Sequence, residues 1–182
     1  MTDPEKSLST KAQPLQGFGC ADAPLRFYIA NRPPMDHYPT LSHLQPLAPG
    51  EIAHIVANTS NHWRKAFNVC AKMLFDWHKR NNHSDLPDSW QGYRDKWLFQ
   101  NGKGAALLFS PPDLSANAWH IIFGKTYASS LAIPGLVWHD GFFASLPGQQ
   151  LIVSPYPDYR QLSNERIQRL LDFLSPGNFP KT

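Results

Sequence analysis

The stretch of residues 119–174 constrains the fold more than any other part of the chain. It contains two short apolar runs, Trp119–Phe123 and residues 150–153, and each run is followed by a polar loop with Gly or Pro and then by a helical pattern. The pattern of a buried strand, a connection and an amphipathic helix thus occurs twice. This repeated pattern predicts parallel strands with helices packed on them. In open α/β sheets ligands bind beyond the carboxyl ends of the strands, so the same stretch predicts where a site lies.

The rest of the chain adds two strand patterns and further helices. Residues 25–31 and 105–109 are short runs of aromatic and aliphatic residues. Apolar residues recur at three- and four-residue spacing over residues 61–80, and a shorter helical pattern lies on either side of that segment. An uncertain strand is expected around residues 137–144. We therefore predict a three-layer α/β/α fold with a mostly parallel central sheet of about four strands.

The limits of the predicted domain follow from composition. Residues 1–24 carry Pro, Gly, Ser, Gln and charges without a period, which predicts an irregular N-terminal arm. Residues 25–182 are expected to form a single α/β domain. The last helix is predicted from about Ser163, its N-cap, to Leu174, with Ser175-Pro176-Gly177 ending it.

Composition also places the chain among ordinary globular proteins. Of its 182 residues, 42% are hydrophobic and 17% are charged, which argues against a disordered chain.

No apolar run reaches the roughly 18 residues of a membrane span, and the N-terminus has no signal-peptide core, so we expect a cytoplasmic protein with no membrane partner. The two cysteines are expected to be reduced. A net charge of +3 is small for a dedicated nucleic-acid coat but allows local phosphate contacts.

Three motifs with known chemistry do not fit the chain. Gly124-Lys125-Thr126 joins strand to helix as in a phosphate loop, but Trp119 stands where that loop needs its first glycine. The eight histidines form no HxxxH or HxH pair, so we predict no metal site and no cofactor. The sequence contains no GxSxG elbow and no evident Cys–His pair, so it gives little support to a nucleophilic hydrolase. Lys125 and Thr126, at a helix start, stay candidates for binding a single phosphate.

Two loops at predicted strand ends carry polar and aromatic side chains that could form a site. They are Asp36 and Tyr38, in the proline-rich loop of residues 32–49, and Tyr156, Asp158, Tyr159 and Arg160 after the last strand. A carboxylate beside a histidine can activate water, an aromatic ring can stack on a base or sugar, and an arginine can hold a phosphate. The same residue types also serve turns and packing in such loops, so both interpretations stay open.

The order of these features resembles the uracil-DNA glycosylase superfamily, most closely over residues 118–174. In that family one strand precedes a loop with a water-activating Asp, and a later strand ends in a base-reading Asn. A third strand ends in Gly before a helix, and the last carries a His-Pro-Ser loop before the final helix. The four segments that resemble these motifs are, in order, IANRPPMDHYP, GAALLFSPPD, HIIFGKTYASSL and LIVSPYPDYRQLSNERIQRLLDFL. The resemblance implies a uracil-DNA glycosylase-like α/β fold.

The resemblance also implies roles for single residues. Asp36 is nearest to the water-activating carboxylate, and Tyr156 stands where the family has the His that stabilises charge on the departing base. These two are the catalytic candidates. The ligand-binding candidates are Tyr38, Phe109, Ser110, Lys125, Thr126, Asp158, Tyr159 and Arg160. Phe109-Ser110 replaces the base-reading Asn, and a Tyr hydroxyl is neutral near pH 7 and only hydrogen-bonds, so the resemblance supports the fold more than the activity.

Two functions are compatible with this sequence. In the first, a cleft at the carboxyl ends of the strands binds a nucleobase, a nucleotide or single-stranded nucleic acid, with or without hydrolysis of an N-glycosidic bond. In the second, the chain is a non-catalytic protein-interaction module on a degenerate glycosylase fold. A weaker hypothesis is an enzyme that binds a small phosphate compound through Lys125. Enzyme activity, substrate and oligomeric state are left open by the sequence.

Overall fold

An eight-stranded mixed sheet runs through the molecule, which a computed structural model describes over residues 14–175. The strands are β1 (Gly17–Phe18), β2 (Leu25–Tyr28), β3 (Leu44–Gln45), β4 (Ala105–Leu108), β5 (Trp119–Phe123), β6 (Val137–Trp138), β7 (Ala144–Ser145) and β8 (Leu151–Ser154). The helices are α1 (Glu51–Asn58), α2 (Asn61–Arg80), α3 (Trp90–Lys96), α4 (Lys125–Ser130) and α5 (Asn164–Phe173), with a 3₁₀ turn at Tyr38–Thr40. Over residues 14–175, no helix combines the length and the apolar character that crossing a membrane requires.

The strand order is β3-β1-β4-β2-β5-β8-β7-β6. The inner strands β4, β2, β5 and β8 are parallel, whereas β1 pairs antiparallel with β4, β7 with β8, and β6 with β7. The α/β class is confirmed, but the predicted sheet of about four mostly parallel strands is wrong, because the sheet has eight strands and is mixed. The outer strands β1, β3, β6 and β7 have two residues each, too few for an alternating pattern to be recognisable.

The four inner strands end level with one another. Tyr28 pairs in register with Leu108 and Ile122, and Phe123 pairs with Ser154. The loops that follow these strands therefore leave the sheet on the same side, which we call the carboxyl edge. This is the side on which parallel α/β sheets bind ligands.

Alternate residues of the inner strands face two layers of unequal thickness. Phe27, Leu107 and Ile121 point into the core that the sheet shares with α1, α2, α3 and α5. The ring of Phe27 stacks on that of Phe123 with centroids 5.3 Å apart. On the opposite face, Tyr28 and its neighbours pack against α4 and loops. The second helical layer is thus reduced to one helix of six residues.

The predicted helix of residues 61–80 is present as α2. Its buried side includes Trp63, Phe67, Cys70 and Leu74, which recur every three or four residues. Burying each large apolar side chain contributes about 1.5–3 kcal/mol, so this stripe fixes α2 against the sheet. Both cysteines of the chain are free.

Several predicted boundaries shift in the structure. Of the predicted irregular arm, residues 1–13 lie outside the described part, whereas Gly17–Phe18 forms β1 and Phe18 is fully buried. The uncertain strand around residues 137–144 is the β6–β7 hairpin, in which the amide of His139 donates to the carbonyl of Phe143. β1 depends on long-range pairing with β3 and β4, and β6 and β7 have only two residues each, so a local pattern reveals none of these strands.

The last helix begins where the sequence predicted. Ser163 is the N-cap of α5, and its hydroxyl accepts a hydrogen bond from the amide of Arg166. Of the Ser175-Pro176-Gly177 segment expected to end the helix, only Ser175 lies within the described residues.

Candidate functional site

Tyr156 lies at the centre of a cluster on the carboxyl edge. Its hydroxyl is 2.5 Å from Nε2 of His62 in the first turn of α2, and the two ring centroids are 5.1 Å apart. The side chain of Asn31, from the loop after β2, lies close enough to lower the pKa of this hydroxyl. A Cβ on Gly124 would lie 3.4 Å from the Tyr156 ring, so the backbone after β5 touches the ring as well. Tyr156 therefore links three strand ends with the start of α2.

The surroundings of this cluster keep both ring groups neutral. Burial raises the pKa of Tyr156, and the nearby Asn31 side chain offsets only part of this effect. Burial lowers the pKa of His62, which the nearby Asp158 carboxylate partly opposes. A neutral phenol is a stronger hydrogen-bond donor than a neutral imidazole N–H, so we assign Nε2 of His62 as the acceptor and place the imidazole proton on Nδ1.

A second contact joins the loop after β8 to α2. Lys65 lies one turn after His62, and its Nζ is 3.7 Å from the Asp158 carboxylate and 5.3 Å from the centroid of the Tyr159 ring. The other carboxylate oxygen of Asp158 accepts a hydrogen bond of 2.9 Å from the amide of Arg160. The first turns of α2 therefore hold the loop that connects β8 to α5, which we call the β8–α5 loop.

A cavity of about 340 Å³ opens beside this cluster, and we call it the edge cavity. It is lined by Lys125, Gly141, Phe142, Pro155, Tyr156, Arg160, Gln161 and Arg166. Three of these side chains are cationic, and none of the described residues that line it is acidic. The arrangement suits an anionic group such as a phosphate.

Each cation of the edge cavity lies over an exposed aromatic ring. The pairs, with the distance from the cation to the ring centroid, are Arg166 over Phe142 at 3.6 Å, Lys125 over Trp138 at 4.9 Å and Arg160 over Tyr159 at 5.6 Å. These rings are 44%, 37% and 51% exposed, and they make up three of the four exposed large apolar side chains among residues 14–175. Exposed aromatic faces gathered at one place mark a binding surface.

The predicted site residues are only partly brought together. Lys125, Tyr156 and Arg160 line the edge cavity, and Asp158 and Tyr159 lie in the same loop as the last two. Thr126 is exposed in the first turn of α4 and is not among the lining residues. No group of three or more His, Cys, Asp or Glu side chains within the described chain is placed to hold a metal ion.

Asp36 and Tyr38 attach the long loop after β2 to α1. The Asp36 carboxylate is 2.9 Å from Nε2 of His54, and the pair is about half exposed. The hydroxyl of Tyr38, which is buried, donates to the Glu51 carboxylate at 2.6 Å. Burial and this carboxylate both raise the pKa of Tyr38. The catalytic role of Asp36 and the ligand-binding role of Tyr38 stay predictions, while the contacts in the structure are those of a loop anchor.

Phe109 and Ser110 contact β1 and the residues just before it. The ring of Phe109 packs edge-on against Phe18 with centroids 5.2 Å apart, and the guanidinium of Arg32 lies 5.2 Å from its centroid. The hydroxyl of Ser110 accepts a hydrogen bond from the amide of Gln16. These contacts give both residues a packing role, and ligand binding by them stays a prediction.

Several residues of the site were missed at the sequence level. His62 was interpreted as structural because it has no metal-ligand spacing, yet His62 and Lys65 share a helix face directly after the cap residue Ser60. Asn31 is the first polar side chain after the apolar run of β2. Phe142 is an aromatic residue beside Gly141 in a short hairpin, where packing does not require it. These local signals were present, but the sequence did not show that they meet.

The comparisons with known proteins give one family and no relative of known function. Residues 16–175 match a Family of unknown function (DUF6942). No curated protein and no solved structure matches the chain. The matched range contains all the strands and helices described above, together with the edge cavity.

Proposed function

The chain belongs to this family of unknown function, DUF6942, and we propose that it binds single-stranded nucleic acid through the edge cavity. One observation carries the proposal, namely that Lys125, Arg160 and Arg166 line one cavity and each lies over an exposed aromatic ring. Cations bind the phosphates of any sequence, and aromatic faces stack with any base.

The size of the edge cavity limits what enters it. At about 340 Å³ it lies near the lower end of the roughly 300–1,000 Å³ of small-molecule sites. That volume accepts one base or sugar but not a folded nucleic acid. A single strand would therefore insert one nucleobase, while its backbone crosses the exposed rings and cations outside.

We also infer a uracil-DNA glycosylase-like architecture. Its support is that the first of the four segments resembling the family motifs follows the inner strand β2, and the other three include all or most of β4, β5 and β8 together with the loops after them. All four motif loops then leave the carboxyl edge, where a glycosylase would bind its base. The inference concerns the fold and does not extend to base excision.

Base excision is not part of the proposal, because both catalytic candidates are engaged elsewhere. The Asp36 carboxylate pairs with His54, and the Tyr156 hydroxyl hydrogen-bonds with Nε2 of His62. We expect no free uracil from a uracil-containing single strand after prolonged incubation. Release of uracil that Asp36→Asn abolishes would establish an enzyme and contradict this expectation.

The binding proposal is tested by fluorescence anisotropy with a labelled oligodeoxythymidylate at about 50 mM salt and above. We expect the wild type to bind, with affinity falling as salt rises. The single changes Lys125→Ala, Arg160→Ala and Arg166→Ala should each weaken binding. Each should also reduce the slope of the logarithm of affinity against the logarithm of salt concentration by about 0.7. Lys96→Ala is the matched control, because Lys96 is exposed on α3 and does not line the edge cavity. A wild type that does not bind, or cation variants that bind like the control, would refute the proposal.

A protein-interaction module is the second candidate, favoured by the exposed rings of Trp138, Phe142 and Tyr159. Protein interfaces are enriched in aromatic residues and draw most of their affinity from a few buried rings. Such a site would bind no oligonucleotide, and its affinity for a partner would depend on the rings far more than on Lys125. The salt dependence of binding separates the two candidates.

A further inference from the structure

The start of α2 is attached to the β8–α5 loop at two points. The first is the 2.5 Å hydrogen bond between the Tyr156 hydroxyl and Nε2 of His62, and the second is the 3.7 Å ion pair between Lys65 and Asp158. From this geometry we infer that His62 is a positioning residue for the edge cavity, because it holds the loop that presents Arg160 to a ligand. The inference rests on the proposed function and names a residue on which that site depends.

His62 acts through Tyr156 and not by contact with the ligand. The β8–α5 loop contributes Pro155, Tyr156 and Arg160 to the lining of the edge cavity, whereas His62 is not among the lining residues. Of the two attachments, the Lys65 ion pair is long and about a quarter exposed at each end, so water weakens it. The shorter hydrogen bond of the half-buried Tyr156 is the stronger constraint on the loop.

The hydrogen bond has a defined direction. In a pair of a neutral phenol and a neutral imidazole the phenol is the stronger hydrogen-bond donor, so the single proton of Tyr156 is directed to His62, whose Nε2 must be unprotonated to accept it. A neutral His62 is therefore required for the hydrogen bond in this direction.

Protonation of His62 removes this acceptor. An imidazolium would direct a second N–H at the Tyr156 oxygen, and the phenol proton would lose its partner. The charged groups that face His62 are Asp158 from the β8–α5 loop, which favours protonation, and Lys65 from α2, which opposes it. The ring of Trp63 meets His62 edge-on from the same helix and carries no charge. Acidification below the lowered pKa of His62 reverses this hydrogen bond and leaves the phenol proton without its acceptor, so the loop should be held less firmly and ligand binding should weaken.

The test compares oligodeoxythymidylate affinity at about pH 7.5 and about pH 5.5, at constant ionic strength, for wild type, His62→Gln and His62→Ala. Gln places a carbonyl oxygen near the position of Nε2 and accepts at both pH values. We expect His62→Gln to bind within about twofold of wild type at the higher pH and to lose less affinity on acidification, and His62→Ala to bind about fivefold or more weakly at both. Equal affinity of His62→Ala and wild type at both pH values would overturn the inference.

A second measurement needs no ligand. Nitrogen chemical shifts of the imidazole in the full chain should show His62 protonated on Nδ1 at neutral pH, and this preference should be lost in Tyr156→Phe. An Nε2–H tautomer in the wild type overturns the inference while leaving the proposed function intact. A wild type that binds no oligonucleotide overturns both, so the two failures are distinguishable.

Discussion

At the scale of single residues, burial keeps several histidines of the chain uncharged. It lowers the pKa of His62, His78 and His120. His78 is the buried residue near the end of α2 whose ring contacts the rings of Tyr93 and Trp97. Its pKa falls from 6.5 to about 4, mainly through burial and then through the neighbouring His83, while a hydrogen bond with the backbone of Lys103 partly opposes the shift.

The stability of the protein should therefore decrease on acidification. Between pH 6.5 and about 4 the unfolded chain protonates His78 while the folded chain does not, so folding stability is lost as the pH falls through this window. At about pH 5 the loss from His78 amounts to about 2 kcal/mol. Urea unfolding at about pH 7 and about pH 5 measures this loss of folding stability. The His78→Gln variant should lose less stability between these pH values than the wild type. Equal losses in both proteins would show that His78 is not responsible.

Substitution of Phe142 tests, at the scale of one residue, whether bases stack on the aromatic rings at the edge cavity. It is 44% exposed and lies under the Arg166 guanidinium, so removing it leaves the core untouched. Phe142→Ala should reduce oligonucleotide affinity by about 1–3 kcal/mol, which is about 5-fold to about 160-fold. Phe142→Tyr keeps an aromatic face and should retain affinity, as anisotropy titration would show. A loss of the same size in Phe142→Tyr would argue against stacking.

At the scale of elements, the strands with a local sequence pattern could be predicted, whereas the strands that depend on contacts with distant segments could not. The inner strands β2, β4, β5 and β8 were recognised because each is a run of four or five buried residues. The two-residue outer strands were not, since they exist only through their partners. β1 shows this dependence, because Gly17 pairs with both Leu44 and Leu108 and has no pattern of its own.

Gly17 should be intolerant of any side chain for this reason. Its φ of 151° is rare for other residues, and an added Cβ would overlap the carbonyl oxygen of Leu107 in β4. Gly17→Ala should cost about 3 kcal/mol or more of unfolding free energy in urea. Gly50→Ala is the control, since Gly50 also has a positive φ but nothing lies within 4 Å of its added Cβ, and it should cost about 1 kcal/mol. Similar losses in both variants would contradict the close approach of β1 to β4.

At the scale of the whole molecule, the sequence predicted the side of the sheet on which the edge cavity lies better than the residues that line it. The alternation of strands and helices predicted that the loops bearing Lys125 and Arg160 would meet at the carboxyl edge, and both line the edge cavity. The contact of Tyr156 with His62, 94 positions apart, depends on how α2 packs on the sheet. That packing follows from the full fold, so neither periodicity nor motif spacing could reveal it.

The central claim is that the edge cavity and its surrounding cation–aromatic pairs bind a single-stranded nucleic acid. An amide NMR titration of the intact protein with oligodeoxythymidylate tests it most directly, because each backbone amide reports its own surroundings. The largest shift changes are expected at Lys125, Phe142, Arg160 and Arg166, with little change on α3 at Lys96, which does not line the cavity. Unchanged shifts at those four residues at saturating oligonucleotide, or changes confined to other parts of the molecule, would contradict it.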